Sequence, residues 1–186
     1  MGKYNFHREQ ETTVEEIRAM IDRDTSAGKW VGVLAAFLYV FGCRINEAMK
    51  LKPEDFEISE DYLAVKIALS KQKKKQTTGP YDMSFHYVHV ARSTPFVDEF
   101  IIPYRLSIRG ERVFPYSRIW AWRKLKELNS QISPHVFRHD RLTKLAMSGA
   151  SGAVLQDWAG WSDLRPAGSY LRTTGAIQKQ FADKVR

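Results

Sequence analysis

The stretch WVGVLAAFLYVFGC, residues 30–43, decides how the rest of the chain is read. It is the longest apolar run in the sequence. Spanning a bilayer takes about 20 consecutive apolar residues, so this run is too short to cross one. A helix that is apolar on every side belongs inside a core. Gly42 marks where that helix yields. Arg44 follows in FGCRINEAMKL, with Glu47 three residues later. An arginine at the end of a buried helix is costly unless it is paired or aimed at an anion. Glu47 is placed to hold its fork. The pair reads either as a structural ion pair at a helix junction or as the back of an anion site.

Upstream, ETTVEEIRAMIDRD, residues 11–24, carries two overlapping capping boxes, Thr12 with Glu15 and Thr13 with Glu16. Val14, Ile17 and Ile21 then form a helical stripe. Downstream, RINEAMKL continues as a short helix closed by Pro53. The period then changes. Leu63, Val65, Ile67 and Leu69 alternate, as do Tyr81, Met83, Phe85 and Tyr87, which predicts two strands joined by the loop at residues 70–80. DFEI, residues 55–58, adds a short third strand. From Ser117 the pattern is helical again, with Ile119, Trp122, Leu125 and Leu128 expected on one side. The helix SPHVFRHDRLTKLAMSGA, residues 133–150, follows, then AVLQDWAG and PAGSYLRTTGAIQKQFADKV. The expected fold is mixed and mainly α: helices around a small, about three-stranded antiparallel sheet.

At 186 residues the chain reads as one domain with a sizeable core. Its 29 basic against 21 acidic residues give a net charge of +8, which suits a polyanionic partner, nucleic acid before membrane. The single cysteine, Cys43, excludes an internal disulfide and a cysteine-based zinc site. The first ten residues are polar, unlike a signal peptide. There is no P-loop and no GxGxxG. Carboxylates do not cluster as a two-metal nuclease site requires. His86 and His89, three apart on a strand, point to opposite faces and make a poor metal pair. Neither metal nor cofactor is expected.

Three further features carry candidate chemistry: the helix that opens at Ser133, the lysine loop and Tyr170. Ser133 is placed to cap its helix and Pro134 fits the first helical position. His135 and Arg138 then share one face near a helix N-terminus, where free N–H groups and the dipole already favour an anion. Gly149 reads as the left-handed stop at the far end. In the loop, Lys71, Lys73, Lys74 and Lys75 lie in a stretch with no acid between Asp61 and Asp82, suited to DNA phosphates or to plain solvation. Tyr170 sits in a Gly- and Pro-punctuated stretch, and nothing in the composition singles it out from the other tyrosines.

Taken together, FGCRINEAMKLKPEDF, SPHVFRHDRLTKLAMSGA and LQDWAGWSDLRPAGSYL resemble the three ordered boxes of the tyrosine recombinase (phage integrase) catalytic domain, with a lysine-bearing hairpin between the first two. The resemblance runs from about Thr12 to the C-terminus. It implies that Arg44 and Arg138 grip the scissile phosphate, with Glu47 orienting the first arginine. It implies that His135 holds the phosphate and assists proton movement. Lys71 becomes the general acid for the departing 5′-oxygen, with Lys73, Lys74 and Lys75 as rivals and DNA contacts. Trp161 stands where the family more often has histidine; its indole N–H still donates, but it cannot act as a base. Tyr170 becomes the nucleophile.

The implied function is a site-specific recombinase or integrase of a virus or other mobile element. It cuts and rejoins double-stranded DNA through a 3′-phosphotyrosyl intermediate, without metal or ATP. Such enzymes act as homotetramers on DNA, while an isolated domain can be a monomer; the expected setting is the cytoplasm of a prokaryotic host. Family members usually carry an additional N-terminal domain that clamps DNA. With residues 1–186 read as the catalytic domain alone, the chain is either an excised fragment or a minimal enzyme. Three alternatives stand beside this reading: a type IB topoisomerase-like enzyme or telomere resolvase, a non-catalytic DNA-binding module with the same fold, and a metal-dependent nuclease whose activity EDTA would abolish.

Overall fold

The computed structural model describes residues 11–69 and 84–172. Helix α1, Val14–Arg23, opens on one of the two possible capping boxes. Thr13 Oγ1 accepts from the Glu16 amide at 3.1 Å, and Glu16 Oε2 accepts from the Thr13 amide at 2.9 Å. Thr12, the rival cap, is buried, and its amide donates to Asp140 Oδ2 at 2.8 Å across the fold. Ile17, Met20 and Ile21 turn inward against α2.

Helix α2, Trp30–Phe41, is the core helix that the apolar run predicts: all but Tyr39 of its residues are buried. Its start is held by a carboxylate the sequence did not flag. The buried Asp24 accepts from the Gly32 amide at 2.8 Å, placing negative charge at a helix N-terminus. The helix stops at Gly42, whose φ of 63° is the left-handed conformation glycine adopts at little cost. Around α2 pack α1, α5 (Arg118–Leu128) and α6 (Pro134–Met147). Helix α3, Ile45–Ala48, is one turn long. Pro53 does not close it but opens a 3₁₀ turn, Pro53–Asp55, as suits a residue with fixed φ and no N–H to satisfy.

Three antiparallel strands follow in the order β1 (Phe56–Ile58), β2 (Tyr62–Ala68) and β3 (Phe85–Ala91). In β2 the alternation holds, with Leu63, Val65 and Ile67 inside. In β3 the period is right and the face is reversed. His86, Val88 and Val90 are buried, while Phe85 is half-buried and Tyr87 exposed. The cause is register: Leu63, Val65 and Ile67 lie directly opposite Val90, Val88 and His86, and opposed residues share a face. Tyr81 and Met83 lie outside the described residues. A π-helical turn, Val97–Ile101, then leads into α4, Ile102–Ser107.

The stripe expected on α5 is also corrected. Ala121 and Leu125 are its buried residues, while Ile119 is 59% and Trp122 44% exposed. Positions three apart fall behind by roughly 60° at each step, so a run of them drifts to the opposite side of a helix. At the start of α6, Ser133 occupies the cap position but makes no side-chain cap bond. Its carbonyl accepts from the Val136 amide at 2.9 Å, and Pro134 brings no N–H to cap. Gly149, at φ 95°, ends the segment as expected. Helices α7 (Gly152–Ala159) and α8 (Ala167–Arg172) close the fold over a small second core of Leu142, Ala146, Leu155, Ala159 and Ala167.

The contact between α1 and α2 is backbone-close at Gly32. A Cβ there would stand 2.6 Å from the Ile21 Cα, and backbone on both sides leaves nothing to swing away. Gly32→Ala is expected to lower stability by about 1–3 kcal/mol despite its gain of up to about 1 kcal/mol in helix propensity. Urea unfolding checks this: the midpoint falls with an unchanged slope.

Candidate active site

The site forms where the ends of α2 and α7 meet the start of α6. Glu47, fully buried on α3, holds Arg44 in two ways. Its Oε2 accepts from the Arg44 backbone amide at 2.7 Å, and its Oε1 from Nη1 at 2.8 Å. The Arg44 side chain keeps 26% exposure and lines a cleft of about 820 Å3 between β3 and α7. Among the described residues, its Nε and Nη2 make no hydrogen bond, so part of the fork remains open to a ligand.

Arg138 is 7% exposed. Its Nη1 donates to the Gly42 carbonyl at 3.0 Å and its Nη2 to the Ala159 carbonyl at 2.7 Å. Both acceptors belong to helix C-termini, which carry orphan carbonyls and partial negative charge. The Trp161 ring lies 5.8 Å from this guanidinium, and the Tyr170 ring stacks on Trp161 at 5.7 Å and 28°. The second ring on Tyr170 is His139, at 5.4 Å. Burial, then the charge of Arg44, lower Arg138 from the usual guanidinium value, while Glu47 pushes back. Burial raises the half-buried Tyr170 phenol, and Arg138 pulls it down. Chemically, this is an anion site built from two guanidinium groups, with an indole beside them and a phenol at its edge.

The structure therefore brings Arg44, Glu47, Arg138, Trp161 and Tyr170 together. His135 is exposed at the start of α6 and lines a second hollow of about 230 Å3 with Ile45, Arg118 and Trp122. Lys71, Lys73, Lys74 and Lys75 lie outside the described residues; Leu69, just before them, lines the main cleft. Among the described residues there is no group of three His, Cys, Asp or Glu able to hold a metal. Three supporting residues escaped the sequence reading. His139 follows Arg138 directly, and that adjacency was its only signal. Trp158 donates from Nε1 to the Phe41 carbonyl at 2.9 Å. Gln156 donates to the Trp161 carbonyl at 3.2 Å. Neither of the last two is visible without the packing.

The sequence pattern of the phage integrase family matches residues 10–176, and the chain belongs to that family, carrying the tyrosine recombinase catalytic domain. A probable integrase/recombinase of Aquifex aeolicus is 23% identical over 184 residues, covering 87% of this chain and 58% of the relative. The tyrosine recombinase XerD of Corynebacterium glutamicum is 27% identical over 156 residues, covering 76% of this chain and 47% of that one. The chain thus spans about half the length of these curated relatives. Among solved structures, XerA recombinase matches with a TM-score of 0.67 at 17% identity, over 100% of this chain and 66% of its own. XerH site-specific recombinase bound to palindromic difH substrate matches at 0.68 and 16% identity, over 93% and 52%. These likenesses establish the shared fold.

His86 gives the cleft wall a pH-dependent term. It is 8% exposed, and among the described residues neither ring nitrogen has a hydrogen bond. The Asp157 carbonyl faces the ring without closing one. Burial lowers its pKa below the ordinary 6.5, outweighing Glu47 and Asp157. The unfolded chain then takes the proton first. Stability is full above the unfolded value and is lost as pH falls through the folded one. Urea midpoints measured from pH 8 to 5 are expected to drop further for the wild type than for His86→Gln; parallel profiles contradict this.

Proposed function

We propose that the chain cuts and rejoins DNA through a covalent tyrosine–DNA intermediate, as the catalytic domain of a site-specific recombinase. The observation that carries this is the packing of Tyr170 into the cluster that holds Arg44 and Arg138. Relatives named integrase/recombinase and tyrosine recombinase XerD support it, as does a net charge of +8.

In this mechanism Arg44 and Arg138 bind the non-bridging oxygens of the scissile phosphate and neutralise charge as it grows in the transition state. Trp161 donates its indole N–H to the same group. Tyr170 is neutral at pH 7, since its phenol lies above the ordinary value of 10.0. It therefore loses its proton as it attacks, and His135, turning in from the neighbouring hollow at the start of the same helix as Arg138, assists that transfer as the resemblance implies. The Tyr170 oxygen bonds to phosphorus while the bond to the 5′-oxygen breaks, and Lys71 protonates the departing 5′-hydroxyl. The phosphodiester energy is kept in the 3′-phosphotyrosine, so a 5′-hydroxyl can reverse the step without ATP. Lys73, Lys74 and Lys75 run along DNA phosphates.

The biological reading is an integrase of a virus or other mobile element in a prokaryotic cytoplasm, assembled as a tetramer on double-stranded DNA. Among the described residues, no helix is long and apolar enough to cross a membrane.

The test is a nicked suicide duplex, from which the released 5′ fragment diffuses away. Wild type should accumulate a denaturation-resistant protein–DNA adduct that withstands EDTA. Tyr170→Phe should give none, and Arg44→Ala at least about 100-fold less, the cost of losing one oxyanion contact. Equal adduct in wild type and Tyr170→Phe overturns the assignment.

A further inference from the structure

The cleft beside Arg44 is much larger than a phosphate group. It holds about 820 Å3, whereas a water occupies about 30 Å3 and a phosphate group a few times that. Its far wall is aromatic. Phe85, Tyr87 and His89 stand on the outer face of β3 because they alternate with the inward His86, Val88 and Val90. Phe85 meets Tyr87 edge to face at 5.7 Å and 87°, and Tyr87 meets His89 at 6.3 Å and 36°. Lys66, paired with Tyr87 across the strands, sets its ammonium 3.9 Å over the Phe85 ring. Tyr87 is 45% exposed, although a ring gains most by being covered. Asp157, which lines the same cleft, is exposed, and its charge acts on the buried His86.

We propose that this cleft binds one unstacked nucleotide of DNA, with its phosphate at Arg44, its base on the exposed Tyr87 ring and its edge at Asp157. The proposal rests on the reading that Arg44 meets a DNA phosphate. The chemistry of the lining selects the ligand. Aromatic rings stack any base, and a neighbouring lysine complements the strand's charge. A base inside a duplex has both faces covered, so only one taken out of the stack can use such a wall. A carboxylate accepts, and guanine offers adjacent N1–H and N2–H donors on one edge, whereas thymine offers a single N–H between two acceptors. The cleft should therefore favour guanine.

The experiment titrates the full chain with deoxyguanosine 5′-monophosphate, thymidine 5′-monophosphate and deoxyribose 5-phosphate, which lacks a base, following the amide signals of residues 84–91 by NMR. The guanine nucleotide should bind about tenfold tighter than the sugar phosphate. Tyr87→Ala should erase that ratio and Tyr87→Phe should keep it. Asp157→Asn should erase the preference for guanine over thymine. Equal binding of the nucleotide and the sugar phosphate overturns the proposal, as does an unchanged ratio in Tyr87→Ala. An unchanged base preference in Asp157→Asn overturns the edge contact. Arg44→Ala should weaken all three ligands alike. If it does so while the base adds nothing, this proposal fails alone; if it weakens none, the reading of Arg44 has failed.

Discussion

One guanidinium bridges the ends of two helices. Arg138 reaches from α6 to the Gly42 carbonyl at the end of α2 and to the Ala159 carbonyl at the end of α7. Burying such a cation costs several kcal/mol. Each charged hydrogen bond returns about 1.5–3 kcal/mol, and a helix C-terminus up to about 2 more. The two sides come close to balancing, so stability alone is a weak reason for the arginine. Two of its five N–H groups serve the fold, and among the described residues the others make no hydrogen bond. A buried cation fixed by backbone carbonyls is also preorganised, which is what stabilising a transition state requires.

Much else is arranged around that bridge. Gly42 stops α2 so that its carbonyl faces inward, and Arg44 emerges two residues later into the cleft. Trp158 reinforces the joint by donating to Phe41. On the far side, the end of α7 carries Trp161, and the second core beneath it receives both Trp161 and Tyr170. The two arginines divide the work: Arg138 is locked by the main chain, while Arg44 is half-open and held by a buried carboxylate. Burial lowers Arg138 most, and the charge of Arg44 lowers it further, a repulsion that an entering phosphate would relieve.

The features legible in the sequence were those fixed locally. An all-apolar run followed by glycine specifies a buried helix and its end. Three-residue spacing brings Arg44 and Glu47 together, and alternation reveals strands. What stayed hidden depends on partners far along the chain. The phase of β3 is set by β2, so the Phe85 and Tyr87 stripe faced outward although its period was correct. The inward face of α5 is chosen by α2, which takes Ala121 and Leu125 and leaves Trp122 outside. Arg138 was legible as an anion ligand, but not as a brace, because main-chain carbonyls leave no mark in a side-chain pattern. His139 was hidden for a similar reason: only packing puts its ring on Tyr170.

The central claim is that Arg138 builds the site it also serves. Arg138→Lys tests this most directly, because it keeps the charge and removes the planar fork that reaches two carbonyls. Urea unfolding and adduct formation on the suicide duplex should be measured on the same preparation. The account predicts that both fall, stability by about 1–3 kcal/mol and adduct by at least about 100-fold. Lost adduct with an unchanged unfolding midpoint, or wild-type adduct with the bridge gone, would contradict it.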